Sequence, residues 1–97
     1  MHVGFSETKS KVLKALSEGA YSHEGRNAID EKNKLAIGEV TADFVANLIS
    51  RSTGADYTCS PHHQDPRTEV HLITKNGWYV KFYFMDSDAL FISVHPA

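Results

Sequence analysis

A chain of 97 residues, 41% of them hydrophobic, can build one hydrophobic core but not two, so we expect a single domain over residues 1–97. Twelve acidic residues outnumber ten basic ones, which argues against a broad nucleic-acid-binding surface and leaves room only for a local basic patch. Cys59 is the single cysteine, so no disulfide framework forms within the chain. No apolar run approaches the roughly 18 residues of a membrane span, and no signal-peptide pattern is present. We therefore expect a soluble, cytoplasmic protein.

The first half of the chain predicts helices, over about residues 6–52. Residues 6–18 carry apolar side chains at helical spacing and are followed directly by Gly19, a typical helix stop. Residues 26–34 show a second, weaker helical pattern. A third pattern begins near residue 39 or 41 and ends before Gly54. We expect this third helix to lie on the core face of a sheet.

The second half predicts an antiparallel β-meander, over about residues 56–96. Three segments alternate in polarity and are rich in β-branched and aromatic residues: 68–74, 78–85 and 89–95. A short strand at 56–59 precedes them, and the loop at 60–67 contains two prolines, which cannot continue a strand ladder. Residues 20–26 show neither pattern and are expected to form a connector.

This order of elements predicts an α+β domain, with two to three N-terminal helices packed on one face of a three- to four-stranded antiparallel sheet. The turns set the strand register. A two-residue turn at Asn76–Gly77 pairs Leu72 with Lys81, whereas a three-residue loop at 75–77 pairs Leu72 with Val80. Hydrophobic matching favours the three-residue loop.

A second three-residue loop, at 86–88, places Phe82 opposite Ile92 and Val80 opposite Val94 on the core face. The other face then gathers polar side chains in rows whose directly opposed members have Cβ atoms roughly 5 Å apart. The predicted rows are His71, Lys81 and Ser93; Glu69, Tyr83 and Phe91; Ile73, Tyr79 and His95.

These side chains have the chemistry that RNA cleavage without a metal requires. The ribose 2′-OH is the nucleophile, so the reaction needs a base, an acid and positive charge or donors on the phosphorane oxygens. The predicted catalytic residues are His71, Tyr79, Lys81, Glu69, His62 and His63. The predicted substrate-binding residues are Arg67, Tyr83, Ser93 and His95. We expect no metal or other cofactor.

Other interpretations of the same side chains stay open. They also suit an ordinary solvated sheet face, or a non-catalytic module that binds a protein partner through its aromatic face. The histidines at 62–63, with Asp65, His71 and His95, offer metal ligands, although their spacing matches no established zinc pattern. Cys59 with the nearby loop histidine lacks the spacing of a nucleophile triad.

Three stretches resemble the MqsR family of toxin–antitoxin ribonucleases, in the RelE-like group. Residues 10–19 are similar to the family's first helix and its glycine stop, and residues 26–37 to its second segment. The third stretch is similar to the family's C-terminal strands and comprises residues 56–60, 69–71, 77–82 and 91–94.

The resemblance implies a metal-independent, mRNA-cleaving cytoplasmic toxin that a cognate antitoxin protein, encoded beside it, neutralises. The family's catalytic tyrosine falls on Tyr79, and Lys81 is also kept. The family's active lysine position holds Cys59, however, and its glutamine position falls at about Thr68. Either the histidines and Arg67 take over these roles, or the chemistry has changed.

Overall fold

A computed structural model describes residues 4–25 and 29–97 of the chain. The elements, in chain order, are α1 (Phe5–Glu18), β1 (Tyr21–His23), α2 (Ile29–Lys32), α3 (Ala42–Arg51), a 3₁₀ turn (Gly54–Asp56), β2 (Tyr57–Pro61), β3 (Glu69–Lys75), β4 (Trp78–Met85) and β5 (Asp88–Pro96). Part of the predicted second helix, residues 26–28, lies outside the described residues, and the described part is only the four-residue α2. No described helix is long and apolar enough to cross a membrane.

The sheet has five strands in the order β1-β5-β4-β3-β2, and β1 runs parallel to β5 while all other neighbours are antiparallel. The α+β class is confirmed, but the predicted three to four antiparallel strands become a five-stranded mixed sheet. The connector predicted at 20–26 contains β1. A three-residue strand is too short to show alternation, and it exists because Ala20 and Glu24 exchange backbone hydrogen bonds with β5.

Helices α1 and α3 pack together on one face of the sheet. Gly19 ends α1 in the left-handed conformation, with φ of 71°, as the sequence predicts. Thr41 caps α3 by accepting a hydrogen bond from the Phe44 N–H at 3.1 Å. The buried core combines both helices with the three central strands: Val12, Ala15, Leu16, Val45, Ile49, Ile73, Val80, Phe82, Phe91 and Val94.

The turn between β3 and β4 corrects the predicted register. Asn76 and Gly77, with φ of 51° and 76°, form a two-residue turn of the kind that suits the twist of a hairpin. Leu72 therefore pairs with Lys81, and Ile73 pairs with Val80. The prediction of a three-residue loop is wrong, because Ile73 can fill the hydrophobic core in place of Leu72.

The β4–β5 pair follows the predicted register over its first half only. Val80 lies opposite Val94, as predicted, and Lys81 lies opposite Ser93. Phe82 then pairs with Phe91 instead of Ile92, so Ile92 is the extra residue of a β-bulge. The predicted loop at 86–88 is correspondingly a tighter turn, since Asp88 already pairs with β4. A bulge bends its strand and increases the local twist.

Candidate functional site

The face of the sheet opposite α1 and α3 is here called the open face. Five of the predicted site residues alternate onto it from β4 and β5: Tyr79, Lys81, Tyr83, Ser93 and His95. The predicted cross-strand pairs of Lys81 with Ser93 and of Tyr79 with His95 are both present. The Tyr79 and His95 rings stack, with centroids 5.2 Å apart and planes at 16°.

His71 and Glu69 lie on the opposite, helix-covered face, which corrects the prediction that they share the open face with Lys81 and Tyr83. The one-residue change in register sends every β3 side chain to the other face. His71 is 3% exposed, and its Nδ1 lies 2.8 Å from the Tyr57 hydroxyl. Burial raises the pKa of Tyr57, so this phenol keeps its proton and can donate it to the ring. Glu69 accepts a hydrogen bond from the Cys59 thiol at 3.2 Å.

Arg67 also lies away from the open face. It borders a small crevice of about 250 Å³ on the helix side, together with Lys11 and His71. Its side chain is 93% exposed, and its Nε lies 3.4 Å from an Asp65 carboxylate oxygen. Within the described part of the chain, no group of three or more His, Cys, Asp and Glu side chains is arranged to hold a metal ion. The metal-binding interpretation therefore gains no support from the loop histidines.

A cleft of about 570 Å³ opens on the open face, a volume in the range of small-ligand sites. The loop after β1 forms one wall, the loop after β2 forms the other, and the sheet forms the floor. Its lining residues are Glu24, Gly25, Ser60, Pro61, His62, His63, Gln64, Val70, Lys81 and Ile92. The structure thus brings His62, His63 and Lys81, all predicted from the sequence, to one cavity.

The two walls of the cleft come from opposite edges of the sheet. Strands β1 and β2 are the outermost strands, which in a flat sheet would place them about 19 Å apart. The side chain of Glu24, directly after β1, nevertheless reaches that of His62, directly after β2, with Oε1 and Nε2 3.4 Å apart. The edges therefore curl towards each other over the open face. The bulge at Ile92, on the floor of the cleft, provides a physical cause for this curvature.

Both ring nitrogens of His62 are engaged. Its Nδ1 accepts the Gln64 backbone N–H at 3.1 Å, so the ring proton is on Nε2, which faces Glu24 Oε1. The ring is 7% exposed, packs edge-on against Tyr83 and stacks on His63 at a centroid distance of 4.9 Å. His62 is thus held in place with its Nε2 3.4 Å from Glu24 Oε1, whereas His63 is exposed to solvent.

Glu24 is the residue of this site that sequence reasoning missed. Its Oε1 faces His62, and its Oε2 is buried without a hydrogen-bond partner among the described residues. Leaving a buried oxygen unpaired costs about 1–3 kcal/mol, which marks the position as a candidate for function. Burial and then the charge of Glu24 raise the pKa of Tyr83, which therefore stays a hydroxyl donor.

A buried asparagine holds Glu24 in place. Asn33 is fully buried, and its Nδ2 donates to the Phe91 carbonyl at 3.3 Å and to His23 Nδ1 at 3.1 Å. The same Phe91 carbonyl accepts the Glu24 backbone N–H at 3.0 Å. Burial lowers the pKa of His23, consistent with a neutral ring that accepts this hydrogen bond. Asn33 therefore ties the segment that carries Glu24 to the centre of β5.

No protein-family model, curated protein or solved structure matches this chain. The resemblance to the MqsR family stays a prediction from the sequence.

Proposed function

We propose that this protein is a metal-independent endoribonuclease of the toxin type and that its reaction centre is the cleft on the open face. The observation that carries the proposal is the buried Oε2 of Glu24, which has no hydrogen-bond partner among residues 4–25 and 29–97, in a cleft that also contains Lys81 and the exposed His63. A carboxylate, an imidazole and an ammonium group are the three functions that cleavage by the ribose 2′-OH requires. The resemblance to mRNA-cleaving toxins supports the same reaction class.

In this mechanism, Glu24 acts as the general base. It takes the proton from the 2′-OH, and the 2′-oxygen attacks the adjacent phosphorus. The bond from phosphorus to the 5′-oxygen then breaks, and protonated His63 gives its proton to that oxygen. The products are a 2′,3′-cyclic phosphate and a 5′-OH end, so no water or metal enters the step. His62 is a positioning residue, because its buried ring is fixed by the Gln64 N–H and its Nε2 lies 3.4 Å from the carboxylate of Glu24.

Lys81 and Tyr83 stabilise the charge that develops on the phosphorane oxygens. Among the described residues Lys81 forms no ion pair, so its charge is available to a phosphate. Tyr83 supplies a hydroxyl donor that the raised pKa keeps protonated.

His71 and Glu69 have no part in this centre, since α1 covers the face on which they lie. Neutralisation by a cognate antitoxin protein is proposed from the resemblance alone.

The proposal is tested with purified protein and an end-labelled RNA in the presence of EDTA. We expect cleavage, with 2′,3′-cyclic phosphate ends and no reaction where the scissile nucleotide is 2′-deoxy. Glu24→Gln keeps the size of the side chain and a polar oxygen beside His62 but removes the base, so kcat should fall by about 10²- to 10⁴-fold. Glu18→Gln, the same change at an exposed residue of α1, is the matched control and should react like the wild type.

Two results would reject the proposal. One is intact RNA after incubation with folded protein, together with normal growth of cells that express it. The other is equal cleavage by wild type and Glu24→Gln, which would move the reaction centre away from the cleft. Intact RNA combined with tight binding to a protein partner would instead favour the non-catalytic module.

A further inference from the structure

We propose that the open face beside the cleft carries a stacking site for one unpaired nucleobase, formed by the Tyr79 ring, with Lys81 binding the adjoining phosphate. This inference rests on the proposed function and narrows its substrate to single-stranded RNA. Nothing in the sequence-predicted role of Tyr79 as a catalytic residue requires a flat ring, whereas a stacking site does.

The spacing along β4 suits a chain of nucleotides. Tyr79, Lys81 and Tyr83 alternate onto the open face, and each step of two residues advances about 6.7 Å, which is close to the length of one extended nucleotide. Lys81 lines the cleft, and Tyr83 packs against His62 in the cleft wall, so Tyr79 lies one step beyond Lys81 and outside the cleft. A base next to the cleaved phosphate therefore reaches Tyr79 without any change in the sheet.

The aromatic surface is already organised. Tyr79 is half-buried and stacks on His95, and its cross-strand neighbour on the other side is Thr74, a small residue. The existing stack limits the rotation of the Tyr79 ring, so less side-chain entropy is lost when a base adds to it. Stacking on sheet-face aromatics is a general way of holding single-stranded nucleic acid and tolerates any base.

The charge of this region also favours an RNA strand. The two rows across the centre of the open face contain Lys81 and no carboxylate: Thr74, Tyr79 and His95 in one, and Thr58, Leu72, Lys81 and Ser93 in the other. In a duplex, by contrast, each base is already paired and stacked, and its ring face is not available to a side chain. The site therefore selects unpaired nucleotides.

The test measures binding of a fluorescent 2′-O-methyl RNA octamer, which lacks the nucleophile and cannot be cleaved. Tyr79→Ala should raise Kd by about 5- to 150-fold, the range for loss of one stacked base. Tyr79→Phe keeps the flat ring and should bind with the affinity of the wild type. Met85→Ala, at an exposed residue near the other end of β4, is the control and should bind like the wild type. The same octamer in a duplex should bind more weakly to wild type.

An octamer series with one abasic position identifies the base that stacks. At that position the abasic change should cost wild type the same factor as Tyr79→Ala, and the two changes together should cost no more than either alone. If Tyr79→Ala does not fold, Tyr79→Leu keeps an apolar side chain without a flat ring and gives the same comparison.

The stacking site is overturned if Tyr79→Ala and Tyr79→Leu bind like wild type, or if their loss is equal for single-stranded and duplex octamers. This outcome is separate from failure of the proposed function. Cleavage that is indifferent to Tyr79 and to abasic positions rejects the stacking site alone. Absence of cleavage, with binding that still depends on Tyr79 and on one base, rejects the nuclease and keeps the single-strand site.

Discussion

Replacing the buried Asn33 by leucine tests whether this residue fastens the site to the sheet. Asn33 is fully buried, donates to Phe91 and His23, and accepts the Ala36 backbone N–H at 3.0 Å. Leucine has a similar size, so the change removes these hydrogen bonds and leaves little cavity. We therefore expect a loss that reflects hydrogen bonding.

The size of the loss follows from which partners are left unpaired. The Phe91 carbonyl still accepts the Glu24 N–H, so it remains satisfied. The Ala36 N–H and His23 Nδ1 lose their partner. An unpaired group costs about 1–3 kcal/mol when buried, and because both residues are half-buried, each cost lies in the lower half of that range. The expected destabilisation is therefore about 3 kcal/mol, which for a domain of this size lowers Tm by roughly 12–24 °C.

Urea denaturation followed by far-UV circular dichroism measures this change, with coincident fluorescence curves as the check on two-state unfolding. Asn47→Leu, the same substitution at an exposed residue of α3, is the matched control and should stay within about 0.5 kcal/mol of wild type. A loss of less than about 1 kcal/mol in Asn33→Leu would refute the reasoning, because the three hydrogen bonds would then contribute nothing to the fold.

Three further changes test separate features. Burial lowers the pKa of His23 below its ordinary value of 6.5, so the folded state binds fewer protons than the unfolded state and the free energy of unfolding should fall as pH drops below about 6.5. His23→Gln should flatten this pH dependence, and an unchanged slope in the variant would contradict the prediction. Gly77→Ala, at φ of 76°, should destabilise the protein by about 1 kcal/mol. Gly54→Ala is the control and should be close to neutral, because its φ is not positive and a Cβ there meets no atom. Equal changes in Tm would refute the claim that the turn requires glycine at position 77. Burial and the hydrogen bond to Glu69 raise the pKa of the Cys59 thiol, so its alkylation at neutral pH should be slow and should accelerate in Glu69→Gln; an unchanged rate would show that the carboxylate does not control the thiol.

Strand β4 shows what a sequence pattern predicts well. Its bounds, Trp78–Met85, agree with the prediction, and its alternation correctly separates Val80 and Phe82 from Tyr79 and Lys81. Strand β3 shows the limit. Val70, Leu72 and Ile73 are all apolar, so both registers offer a hydrophobic match, and the backbone of the Asn76–Gly77 turn decides between them.

The cleft shows a second limit, which concerns long-range contacts. The loop histidines were predicted as reactive side chains, but Glu24 was not, because nothing local marks a three-residue strand at Tyr21–His23. Only pairing with β5, almost 70 residues later in the chain, creates that strand. The sequence does contain one feature that could have indicated Glu24: it lies next to His23 in a segment without helical or strand periodicity.

The sequence by itself determined the α+β class, the helix stop at Gly19 and the aromatic and basic side chains of β4, because these follow from local spacing and composition. Tertiary structure decided which face His71 occupies and which carboxylate meets His62. Both depend on how strands pair and how far the sheet curls, and these are properties of contacts between distant parts of the chain that no local pattern encodes.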